Sequence, residues 1–76
     1  MNALEAKIIR ILADHFDIEE SLIQLHTKFE DLSVNTIDLV DVIVAIEDEL
    51  NMIIPEDAHQ KINTVQNLVS YFRGAI

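Results

Sequence analysis

Cysteine and tryptophan are both absent from this 76-residue chain, and glycine and proline occur once each. Without cysteine there is no disulfide framework, no thiolate metal ligand and no thiol nucleophile belonging to the chain itself. A single glycine excludes glycine-rich phosphate loops and the obligatory turn of an EF-hand. Aromatic residues are limited to three Phe and one Tyr. Lysine and arginine together number only five.

What is present is apolar and acidic. Half of the residues are hydrophobic and a quarter are charged, a globular composition for one domain spanning 1–76, near the lower size limit for a self-sufficient core. The formal net charge of −9 is localised. Between Lys28 and Lys61 there is no Lys or Arg, and that interval holds Glu30, Asp31, Asp38, Asp41, Glu47, Asp48, Glu49, Glu56 and Asp57, nine of the fourteen acids. The five acids outside it are matched by the five bases. Such a field repels nucleic-acid and anionic lipid phosphates and steers basic protein surfaces toward it. The N-terminal stretch mixes Glu5, Lys7, Arg10 and Asp14 among its apolar residues, which is neither a signal peptide nor a membrane span. A cytoplasmic monomer that binds neither nucleic acid nor membrane is expected.

Apolar periodicity predicts an all-α fold. Leu4, Ile8, Ile11, Leu12 and Phe16 share one face of a first helix, with Asn2 as its cap and Ile9 off the stripe. A long loop follows to Ser33, pinned by Ile18, Leu22, Ile23, Leu25, Phe29 and Leu32. The second helix runs from about Thr36 to Leu50, capped by Asn35 or Thr36, with Asp38 in its first turn, where a negative charge complements the helix dipole. Pro55 suits the first turn of a short third helix ending near Ile62. A fourth helix opens on Asn63 or Thr64, with Gln66 in the capping-box region, presents Val65, Leu68, Val69 and Phe72 on one face, and ends at Gly74. No strands are expected.

The second helix carries more apolar residues than its core stripe requires. At roughly 100° per residue, Leu39, Val42, Ile43, Ile46 and Leu50 fall on one arc, and Ile37, Val40 and Val44 on another, flanked by Asp41, Glu47 and Asp48. An apolar strip rimmed by acids is either covered by the third helix or a second copy, or docks a partner with a basic rim; the clustered charge favours docking.

These residues resemble the acyl carrier proteins. "FEDLSVNTIDLVDVIVAIEDEL" is similar to that family's second-helix region, in which a Phe-x-x-Asp-Leu approach leads to Asp-Ser-Leu and an acidic amphipathic helix. "IIPEDAHQKINTVQNLVSYF" is similar to the family's "IPDEEAEKITTVQ…YI" ending. The resemblance implies a four-helix bundle with three main helices, one short third helix and a long first loop. It also implies a serine bearing 4′-phosphopantetheine, whose thiol carries acyl groups as thioesters, on a chain that is not itself an enzyme. The partners implied are the basic surfaces of fatty-acid or polyketide enzymes and a phosphopantetheinyl transferase. By position, Asp38, Asp41, Glu47 and Asp48 match the family's acidic recognition surface, and Ile37, Val40 and Val44 its apolar contacts.

One departure is central. Counted from Asp31-Leu32, the Asp-Ser-Leu triplet falls on Asn35-Thr36-Ile37, so the resemblance places phosphopantetheine attachment on Thr36. Ser33 lies three residues early, where the family usually has glycine. The threonine methyl crowds phosphoryl transfer in a pocket shaped for serine and stiffens χ1. Three accounts stay open: slow loading on Thr36, a carrier-like docking or regulatory module that is never loaded, or an engineered residue. A rival of another class is an acidic mimic of nucleic acid that inhibits a basic enzyme; it accounts for the charge but not for the apolar strip. His15, His26 and His59 lie in different elements at no metal-ligand spacing.

Overall fold

The computed structural model describes residues 3–74. Three α-helices, α1 (Ala3–Phe16), α2 (Thr36–Leu50) and α3 (Val65–Arg73), are joined by segments that contain 3-10 turns at Glu20–Leu22, Phe29–Leu32 and Glu56–Lys61. There is no strand among the described residues beyond a single bridge between Lys28 and Thr64. The expected all-α architecture is present. Its short third helix is the 3-10 segment Glu56–Lys61, with Pro55 capping it from outside at an extended ψ of 143°.

Both α2 and α3 pack on α1, and this decides which face of α1 is buried. Ile8, Ile9, Leu12 and Ala13 are buried while Ile11 is only partly so. Ile9 therefore belongs to the core, contrary to the single stripe read from the sequence. A helix lying against two neighbours buries a wider arc than one neighbour requires, and that arc is centred away from Ile11. The Asn2 cap falls outside the described residues. Arg73 Nη2 donates to Glu5 Oε1 at 2.8 Å, tying the end of α3 to the first turn of α1.

Leu39, Val42, Ile43 and Ile46 of α2 are buried as the periodicity requires, and so are Val65, Leu68, Val69 and Phe72 of α3. The N-cap of α3 is Thr64. Its hydroxyl accepts from the Asn67 N–H, and the Asn67 side-chain oxygen accepts from the Thr64 N–H, so the box is closed by Asn67 rather than by Gln66. Gly74 ends α3 at φ −92°, without the left-handed conformation for which glycine is selected.

The first loop is anchored by Ile23 and Phe29, both buried, with Ile18, Leu25 and Leu32 partly so. Leu22, expected as an anchor, is 61% exposed. In the 3-10 turn of Glu20–Leu22 only one of two adjacent apolar residues can face inward, and Ile23 takes that place. Three backbone bonds stitch the loop to the segment entering α3: Phe29 N–H to Asn63 O, Val65 N–H to Thr27 O and Gln66 N–H to Leu25 O. The loop is thereby a fixed wall.

Candidate functional site

The chain enters α2 through a tight sequence of turns. Buried Phe29 anchors the 3-10 turn Phe29–Leu32, whose carbonyls accept the N–H groups of Ser33 and Val34. Ser33 sits in the left-handed region at φ 61°, ψ 30°. Asn35 then caps α2: its Oδ1 accepts the Asp38 N–H at 2.9 Å and its carbonyl accepts the Leu39 N–H at 3.0 Å. The sequence left the cap open between Asn35 and Thr36, and Asn35 holds it. Thr36 is the first residue of the helix, exposed, and its hydroxyl makes no hydrogen bond among the described residues.

Thr36 lines an open cleft of about 440 Å³. Buried Phe29, Leu39 and Ile62 contribute to its lining, and Lys28 and Glu30 are exposed at its edge. A phosphate ester on the Thr36 oxygen fits this place. The hydroxyl makes no hydrogen bond among the described residues, the N–H groups of Thr36 and Ile37 precede the helix's own hydrogen bonding and present the positive end of its dipole, and Lys28 places a cation on the cleft. The apolar lining next to these groups suits the hydrocarbon parts of an arm, and the polar rim suits its amides.

The outward face of α2 carries the expected strip. Ile37 is 73% exposed and Val44 47%, while Val40 is half-buried. Taken at about 100° per residue, Ile37, Val44 and Asp48 lie roughly opposite the buried Leu39 and Ile46. α2 meets α1 through its buried side. Asp41 and Asp48 are exposed and Asp38 is half-buried.

Glu47 differs from its acidic neighbours. It is half-buried, and its Oε2 accepts the Ile54 N–H at 3.0 Å, while its own carbonyl accepts the N–H groups of Asn51 and Met52. It fastens the turn after α2 as well as carrying charge. Sequence reasoning missed this bond, which joins residues seven apart, and it missed Ile53, which is 76% exposed beside buried Ile54. In "NMIIPED" the two isoleucines are chemically alike, and only the fastened turn distinguishes them.

A family model described as "Phosphopantetheine attachment site" matches residues 6–72. A protein called "Acyl carrier protein" from Lactobacillus acidophilus is 41% identical over 69 residues, covering 90% of this chain and 86% of that relative. The chain belongs to the acyl carrier protein family. Members of this family bear a 4′-phosphopantetheine prosthetic group and serve acyl-processing enzymes as carriers rather than as catalysts. The all-α arrangement above is consistent with that fold. Among the described residues no group of three or more His, Asp or Glu is placed to hold a metal ion, and no helix is long and apolar enough to cross a membrane.

Proposed function

We propose that this chain is an acyl carrier in which Thr36 takes the place of the attachment serine, presenting acyl thioesters to fatty-acid or polyketide enzymes after slow loading. The observation that carries the reading is Thr36 itself: exposed, its hydroxyl without a hydrogen bond among the described residues, on a cleft with both apolar and cationic lining. Because Asn35 holds the cap, the hydroxyl has no structural duty that loading would disturb.

Loading joins the side-chain oxygen to the phosphorus of coenzyme A that bears the pantetheine, with release of 3′,5′-adenosine bisphosphate. The hydroxyl proton passes to a base of the transferase. The β-methyl of threonine stands next to the attacking oxygen, and a small misplacement at that point lowers the rate about 100-fold. The unmodified form should therefore predominate on isolation. Partners recognise the chain by basic surfaces laid on Asp38, Asp41, Glu47 and Asp48, with Ile37, Val40 and Val44 supplying apolar contact. A monomer is the state in which this face is open.

The test is intact-mass measurement after incubation with coenzyme A and a phosphopantetheinyl transferase. Thr36→Ser should gain one arm quickly while the parent gains little over the same time. Equal, rapid loading of both would refute the steric argument. Failure of both would favour the second reading, an unloaded docking module, which the changes at Asn35, Ile37 and Ser33 around the hydroxyl also support.

A further inference from the structure

We infer that Lys28 is a positioning residue for the arm: its ammonium pairs with the phosphodiester formed on Thr36 and keeps the root of the arm in the cleft. The inference deepens the attachment at Thr36 proposed above and rests on it. Lys28 and Thr36 line the same open cleft, although they lie eight positions apart in the chain.

The bases of this chain are unevenly employed. Arg73 is paired with Glu5 at 2.8 Å and Lys61 with Asp57 at 3.8 Å, while Lys7 and Arg10 stand exposed on α1. Lys28 is exposed too, but on the cleft, and its side chain makes no ion pair or hydrogen bond among the described residues. A cation left open in a chain of net charge −9 is a place for an anion.

The backbone of Lys28 is fixed on both sides. It forms the antiparallel bridge to Thr64, its carbonyl accepts the Asp31 N–H at 3.0 Å, and the following residue, buried Phe29, donates its N–H to Asn63 O at 2.9 Å. Lys28 itself is extended, at φ −88° and ψ 139°, so that Phe29 turns into the core and Lys28 stays outside. The stem is rooted on the cleft wall, and its four flexible carbons let the ammonium follow the phosphate.

The phosphate needs such a partner. A phosphodiester adds a negative charge near Glu30, which also lines the cleft, and near Asp38 in the first turn of α2. The N–H groups at the start of α2 offset part of that repulsion with partial charges. Lys28 supplies a whole one.

The test uses the full chain as Thr36→Ser, loaded from coenzyme A by a phosphopantetheinyl transferase and verified by intact mass, with and without Lys28→Gln. Lys7→Gln, on α1 and outside the cleft lining, is the control for net charge. Each protein is compared unloaded and loaded, so that any effect of a substitution on the fold itself cancels. At about 10 mM salt, loading should change Tm less favourably in Lys28→Gln than in the chain that keeps Lys28, by about 1–5 °C, and the difference should shrink at about 150 mM. The ³¹P resonance of the arm should shift on Lys28→Gln and stay in place on Lys7→Gln. Both responses are required. Equal responses to the two substitutions, or none to Lys28→Gln, would mean that the arm's phosphate is not held by Lys28, and the inference would be wrong. If the serine chain gains no arm, the attachment reading itself fails and the inference falls with it.

Discussion

Replacing Ser33 with glycine should stabilise the protein. Ser33 is held at φ 61°, ψ 30°, where an L-residue's Cβ crowds the following carbonyl at a cost of about 1–2 kcal/mol that glycine does not incur. Its side chain is exposed and makes no hydrogen bond among the described residues, so the substitution removes no contact. Against this stands the greater freedom of glycine in the unfolded chain, about 0.4–1 kcal/mol. The net gain is about 0.5–1 kcal/mol, or roughly 2–8 °C in Tm for a domain of this size. Thermal unfolding followed by circular dichroism measures it. Asn51 provides the internal control, since it also lies in the left-handed region, at φ 54°, but asparagine tolerates that region better than serine; Asn51→Gly should gain less. An unchanged or lower Tm for Ser33→Gly would show that the turn into Thr36 is not strained at Ser33 and that some other interaction of the serine supports it.

Glu47→Ala should destabilise by about 1–2 kcal/mol, because the half-buried Ile54 N–H loses its acceptor. Glu47→Gln keeps an acceptor oxygen and should retain most of the stability while weakening association with a basic partner, a contrast that denaturant unfolding together with binding titration would expose. Raising sodium chloride from about 10 mM to 150 mM, which shortens the Debye length from about 30 Å to 8 Å, should raise Tm by a few degrees. The molecule measures only 28 × 25 × 19 Å, so at low salt its uncompensated acids repel one another across its whole width. An unresponsive Tm would mean that their mutual repulsion in the folded state does not exceed that in the unfolded chain.

Sequence alone determined the elements whose signals are local. The buried stripe of α2, from Leu39 to Ile46, and that of α3, from Val65 to Phe72, follow from 3.6-residue periodicity, which a helix expresses whatever it packs against. The acidic interval between Lys28 and Lys61 and the departure at Asn35-Thr36-Ile37 are likewise properties of residue order. So is the family, through motifs spread along the chain. The placement of the apolar strip away from the core stripe was also legible, because relative angles on one helix need no tertiary information. That Ile37 is more open than half-buried Val40 was not.

Tertiary structure decided whatever depended on a choice between chemically similar neighbours. Ile9 entered the core and Ile11 moved to its edge because α1 faces two helices at once. Ile23 rather than Leu22, and Ile54 rather than Ile53, turned inward because turns and a carboxylate bond set the backbone direction there. Asn35, and not Thr36, took the cap because the left-handed turn at Ser33 delivers its side chain to the Asp38 N–H. That last choice leaves the Thr36 hydroxyl without a hydrogen bond among the described residues, beside a cleft whose walls lie far apart in sequence, at Lys28–Glu30, Val34–Thr36 with Leu39, and Ile62–Asn63. Periodicity reports the face of one element; only the packing of several brings such walls together.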